Sequence, residues 1–406
     1  MNSTADTYPV LSVLVACLTA TATTVWAQNS TDAATAAGPD AVHQALNLLQ
    51  ASEYARAEQL ALQSTQDSSN SRRGWMIAAS ARQRMGQHAE AIAAYQMVLR
   101  QEKTGQMAEF ARSQIQLCRQ AIANRQKTAE APSAALSQAD RKQLAAVEDR
   151  VHVETSTKFV VRARNARLAK VVLKEAERSL ERICNDLLNG MQFEHNVDVY
   201  VWTDRKEYLK NASDAPEWSG GSYSLKRKED GISRRIDLTQ RDDEGNLSLK
   251  MLDRILPHEL AHLVIREVFQ GGQCPLVVNE GLAMLAEYEI DNERIRLAGT
   301  ALAGRMKISL AQLLTSHWHD LENPAVFYAE AYSLMEFVYT RLNRRQQKSL
   351  LEHMKDGSTF TDALQRALAI PHDETFAKRL EEAWQDHAIA QAQFLNALDE
   401  GFGPDR

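Results

Sequence analysis

Charge of a single sign, cysteine and long apolar runs are all scarce in this chain of 406 residues. With 47 Lys plus Arg against 53 Asp plus Glu, a net charge of −6 argues against a protein that wraps nucleic acid without sequence preference. Four cysteines are too few to staple a disulfide scaffold. The one long apolar stretch, Val10 to Ala20, is about a dozen residues, too short to cross a bilayer as a helix. What remains is ordinary: 44% hydrophobic and 25% charged residues exclude collagen-like, purely coiled-coil and strongly disordered chains. At roughly 100–200 residues per domain, the length predicts two or three domains, each with its own core.

The apolar stretch has the size of a signal-peptide core, and Val25-Trp26-Ala27 places small residues where a signal peptidase reads. Residues 1–27 are therefore expected to be removed on export to the periplasm or cell envelope. Met1 to Pro9 lacks the usual Lys or Arg. Leu14-Val15-Ala16-Cys17 also resembles a bacterial lipobox, which would make Cys17 a lipid anchor. Cys118, Cys184 and Cys274 are odd in number, so at least one is expected as a free thiol.

From 41 to 126 the chain is rich in Ala, Leu and Gln and repeats itself. Ser52, Tyr54, Ala57 and Ala61 lie 34 residues before Gly86, His88, Ala91 and Tyr95, the tetratricopeptide period. Trp75, Gly86, Ala91 and Tyr95 stand at spacings this repeat uses, small residues letting helices approach and aromatics filling the gap. Such a helical module offers a surface to a protein partner. A plain pair of helical hairpins is the competing interpretation. The small, polar segment around Thr128 to Ser133 predicts a linker over 127–150.

A domain over 151–395, followed by a tail over 396–406, reads as α+β. Lys158 to Ala163, Asn196 to Thr203 and Ile232 to Thr239 predict strands, and Trp218 to Ser222 a turn. Between the first two strands, Arg167 to Leu188 predicts an amphipathic helix with Val171, Ala176, Leu180, Ile183 and Leu187 on its apolar side. After Leu247 the pattern is helical almost to the end, a small sheet followed by a helical lobe. The basic runs Lys226-Arg227-Lys228 and Arg234-Arg235 are expected as a solvated edge that discourages strand pairing.

Chemistry concentrates in His258-Glu259-Leu260-Ala261-His262, inside a predicted helix from about Leu249 to Gln270. Histidines at i and i+4 share a helix face and can reach one zinc ion, while Glu259 points toward the ion's water. Leu256, Leu260, Leu263 and Val264 back that face, and Pro257 kinks the helix or starts a new one. Gly271-Gly272 ends it, Cys274-Pro275 makes a loop, and Asn279-Glu280-Gly281 opens the next helix. Glu280, 18 positions after His262, completes a two-His, one-Glu set with one coordination position left open, the mark of a catalytic zinc.

At these residues the sequence resembles the gluzincin peptidases, the thermolysin-like and aminopeptidase-like zincins, and most closely the bacterial peptidase MA-like domain. The resemblance rests on Leu256 to His262, Val278 to Ala283 and, more loosely, Tyr328 to Phe337 and Asp356 to Ala369. It implies His258, His262 and Glu280 as zinc ligands, Glu259 as general base and a peptide or protein substrate. Related aminopeptidases stabilise the oxyanion with a tyrosine, for which Tyr332 is the candidate, with Tyr328 one turn before it. Two departures stand out. The acidic residue that thermolysin-like enzymes place one turn after the third ligand is here Met284, which leaves Glu287 to orient a histidine. The glycine-rich exopeptidase signature is also missing. His317-Trp318-His319-Asp320 reads as surface and Cys274 as a packed thiol. The alternative to a metallopeptidase is a zincin-fold scaffold with little turnover, in which the repeats do the work.

Overall fold

The computed structural model describes residues 40–65, 71–212, 219–228, 231–270, 272, 274–288 and 291–401. The expected signal peptide and Cys17 lie outside them. In chain order the first elements are helices α1 (Asp40–Gln50), α2 (Tyr54–Ser64), α3 (Ser71–Arg84), α4 (His88–Gln101) and α5 (Gln106–Ala129). A 3₁₀ turn (Pro132–Ala135), α6 (Gln138–Leu144), β1 (His152–Thr155), β2 (Phe159–Ala163), α7 (Ala166–Arg182) and β3 (Val197–Trp202) follow. Then come α8 (Arg205–Asn211), β4 (Gly221–Lys228), β5 (Gly231–Thr239), α9 (Leu256–Val268) and α10 (Leu276–Ala286). The chain closes with α11 (Asn292–Ala303), α12 (Leu310–Thr315), α13 (Pro324–Tyr339), α14 (Arg344–Lys355), α15 (Phe360–Ala367) and α16 (Phe376–Gly401). No helix among the described residues is long and apolar enough to cross a membrane.

Contacts gather 40–126, 292–307 and 375–401 into one compact unit and 127–291 with 308–374 into another. The division after Gln126 coincides with the expected end of the helical repeats, whereas no division falls at 150 or 395. The segment 127–150 is more than a connector: Gln240 Nε2 donates to the carbonyls of Leu144 (2.9 Å) and Ala146 (3.1 Å), and the Ser133 amide donates to Asp253 at 3.0 Å. Residues 396–401 continue α16 instead of forming a tail. Composition reveals a polar stretch, but only long-range packing decides which body it joins.

In the first unit, α1 with α2 and α3 with α4 form consecutive hairpins whose turns hold Ser52 and Gly86 in the left-handed region, 34 residues apart. Alanine does the close packing: Ala57, Ala61, Ala91 and Ala94 are buried, and Tyr95 fills the space between helices. The Tyr95 hydroxyl donates to Gln83 (2.7 Å), which donates to Gln114 on α5 (2.8 Å), so the buried polar groups are satisfied. Farther along the chain, α11 and α16 approach closely because a Cβ on Gly299 would strike Ala392 and the carbonyl of Ala388.

The second unit is mixed α+β around one five-stranded sheet in the order β1-β2-β3-β5-β4. The central strands β2, β3 and β5 run parallel, and the edges β1 and β4 are antiparallel to their neighbours. Strand β1 was not expected. Strand β4 begins where a turn was predicted and carries the Lys226-Arg227-Lys228 run, so that run sits on a paired strand at the sheet edge. Phe159, Val161, Val197, Val199, Val201, Ile236 and Leu238 point into the core. Helix α7 buries Leu168, Ala169, Val172, Ala176 and Leu180, with Val172 taking the place expected for Val171. A π turn over Ile183–Leu187 adds a residue and rotates the face, so Leu188 is buried where Leu187 was expected.

Candidate metal centre

Helix α9 owes its start to Pro257. A proline within a helix removes one N–H and crowds the carbonyl four residues back, here that of Asp253. The chain answers with a π turn over Met251–Ile255, and the Asp253 carbonyl accepts instead from the Tyr288 amide at 2.8 Å. The expected kink is thus a change of helix type, and it ties the segment after α10 to the start of α9. Leu256, Leu260, Leu263 and Val264 are buried on the inner side of α9, which fixes the outward face. Gln270, not a glycine, adopts the left-handed conformation beyond the helix end. Helix α10 starts at Leu276, four residues before Glu280, so Glu280 is held by a formed helical turn.

Three donor side chains converge. The ligand atoms of His258, His262 and Glu280 all lie within 4.8 Å of one another, the one such group among the described residues. His258 Nε2 and His262 Nε2 stand 3.6 and 3.7 Å from Glu280 Oε2. The other ring nitrogens are engaged: His258 Nδ1 with Glu287 Oε1 at 3.0 Å and His262 Nδ1 with Asn279 Oδ1 at 3.1 Å. With each Nδ1–H donating outward, a ring that gives up its Nε2 proton to a metal ion presents an Nε2 lone pair to the centre, the tautomer a metal-binding histidine needs. Arg254 Nε donates to Glu287 at 3.2 Å and fixes that carboxylate. Glu287 therefore supplies the support that Met284 cannot, as the sequence suggested, and the Tyr288–Asp253 bond next to it sets its position. Asn279 was read only as part of a helix start.

The charges favour a cation. Glu259, Glu280 and Glu287 crowd two imidazoles, and Glu280 and Glu287 are each only 3% exposed. Burial and the Glu280 carboxylate hold Glu259 above the ordinary carboxylate range, against the opposing pull of both histidines and a hydrogen bond from the Tyr223 backbone. Burial works against Glu280 ionising, but His262 and His258 outweigh it and lower its pKa. For His258, burial disfavours the charged ring, yet hydrogen bonds to Glu280 and Glu287 dominate and raise it. A buried set of two nitrogens and one carboxylate oxygen, with surplus negative charge around it, fits a divalent ion of zinc's ligand preference.

The other wall of the centre comes from the edge strand β4, which sequence reasoning treated as a turn. A Cβ on Gly221 would collide with the side chain of Ile255, so the glycine lets β4 approach the start of α9. Tyr223 then lies with its ring centroid 5.1 Å from that of His262, tilted by 32°. The only sequence signal was Gly220-Gly221, which permits close backbone approach.

On α13 the expected Tyr332 is buried, 5% exposed, and Tyr328 packs edge-on against Trp318 with centroids 5.8 Å apart. Gly281 lets α13 sit directly behind α10, since a Cβ there would meet Met335 and the Ala331 carbonyl. Cys118, Cys184 and Cys274 are all free thiols. Cys274, His317 and His319 lie outside the converging set. Burial, with the charge of Glu280, raises the Cys274 thiol and keeps it protonated.

The sequence matches the peptidase MA superfamily over residues 176–390, more than half of the chain. No curated protein matches it.

Proposed function

The chain belongs to the peptidase MA superfamily, and from that premise we propose that it is a zinc-dependent metallopeptidase acting on a peptide or protein substrate. The carrying observation is the convergence of the His258, His262 and Glu280 ligand atoms within 4.8 Å, with Glu259 next to His258 in the first turn of α9. A zinc ion held there supplies Lewis acidity, acidifying water and polarising the peptide carbonyl. His258 and His262 offer Nε2, and Glu280 a carboxylate oxygen. Glu259, one residue from His258, takes the proton of the attacking water on its carboxylate and returns it to the leaving amine nitrogen.

The helices over 41–126 are proposed as a tetratricopeptide-like module that binds a protein partner or substrate. The 34-residue spacing of their turns supports this. Export to the periplasm or envelope, with or without a lipid on Cys17, rests on residues 1–27 alone.

The test is metal content with turnover. About one zinc per chain, lost in His258→Ala, with peptide hydrolysis abolished by a chelator, is the expected result. A protein that takes up no zinc when supplied with it would refute the proposal in favour of a scaffold.

A further inference from the structure

Resting on the metallopeptidase reading, the geometry points to Tyr223 on the edge strand, and not a residue of α13, as the side chain that donates a hydrogen bond to the oxyanion formed at the cluster. Four observations carry this. Strand β4 ends the sheet, pairing among the described residues with β5 alone, and packs beside α9. Gly221, which no Cβ-bearing residue could replace without displacing Ile255, brings the strand close enough for the Tyr223 amide to bond the Glu259 carboxylate.

The tyrosine is therefore anchored to the general base by its backbone and to a metal-ligating ring by its side chain, at 5.1 Å between centroids. The phenol carries one hydroxyl proton. Among the described residues no protein group accepts that proton, whereas the Nδ1–H groups of His258 and His262 are already bonded to Glu287 and Asn279. A half-buried phenol with a free proton beside the metal ligands is an oxyanion donor in waiting. It would form an O–H···O⁻ bond as negative charge develops on the former carbonyl oxygen, with no proton transferred.

The experiment compares the wild-type chain with Tyr223→Phe and Tyr332→Phe, each loaded with zinc. Three quantities are read: zinc content, kcat and KM on a peptide mixture, and affinity for acetohydroxamate, a small anionic ligand of open zinc positions. Tyr223→Phe should keep zinc and KM, lose about a hundredfold in kcat and bind acetohydroxamate about tenfold more weakly. Wild-type kcat and hydroxamate affinity in Tyr223→Phe would overturn the inference, because a ring that only packs on His262 has no use for its hydroxyl. A larger loss in Tyr332→Phe than in Tyr223→Phe would overturn it in favour of α13. If the wild-type chain holds zinc but binds no hydroxamate, no open position faces the phenol and the inference fails alone. If it holds no zinc, the metallopeptidase reading itself fails.

Discussion

The candidate centre has two walls that the chain builds in different ways. Helices α9 and α10 bring His258, His262, Asn279 and Glu280 together through helical periodicity and one short loop. Strand β4 contributes Tyr223 through pairing with β5 and through the missing side chain of Gly221. On the helical side, four residues of separation already mean one turn and a shared face. On the strand side, nothing local says that a tyrosine 35 residues before His258 will lie on a histidine ring. A candidate metal site can therefore be announced by a local motif while the groups packed against it stay hidden in the sheet register.

Four substitutions sharpen or break this comparison. Glu259→Gln should keep zinc and stability but cost about 10³-fold in kcat, since the amide cannot carry the proton. Peptide turnover equal to wild type in that variant would remove Glu259 from the mechanism. Glu287→Ala, on the helical side, should weaken zinc binding by about 10–100-fold, because His258 Nδ1 loses the acceptor that orients its ring. Competition with a chromogenic chelator reads this, and an unchanged affinity would mean that His258 orients itself without help.

Gly221→Ala acts on the strand wall alone. Its new methyl meets Ile255 and comes within 3.1 Å of the Asp237 carbonyl, which should destabilise the protein by about 1–3 kcal/mol in urea unfolding. Turnover should fall as Tyr223 retreats, yet zinc content should stay, because no ligand sits on β4. Loss of zinc in this variant would show that the walls are not separable. The smallest effect is expected from Pro257→Ala. Restoring an N–H at 257 lets α9 compete with Tyr288 for the Asp253 carbonyl, and zinc affinity should fall only a few fold, about 1 kcal/mol or less. A melting curve and zinc titration that match wild type would show that the π turn persists without its proline.

Much of the helical organisation was legible beforehand. The 34-residue spacing placed Ser52 and Gly86 at equivalent turns, and the apolar side of α9 was read correctly from Leu256, Leu260, Leu263 and Val264. Glu287 could be named as a partner because Met284 left a vacancy to fill, and the bond to His258 exists at 3.0 Å. Failures came where an extra residue or a distant partner intervened. The π turn at Ile183–Leu187 shifted the buried face of α7, and β4 paired with β5 despite its basic run. Residues 292–307 and 375–401 pack on each other through Gly299 with Ala388 and Ala392, and 375–401 meets the N-terminal helices through contacts such as Gln391 with Gln120 at 2.8 Å.

By itself the sequence determined that His258 and His262 stand one turn apart with Glu259 beside them, because helix geometry turns spacing directly into proximity, while Glu280 on the next helix was named from its spacing and the family resemblance. Which oxygen accepts each Nδ1–H, which carbonyl Pro257 frees, and which tyrosine rests on the ligands were decided only in three dimensions. Those contacts join residues that no helical or strand period relates, and only packing of the whole unit brings them within hydrogen-bonding distance.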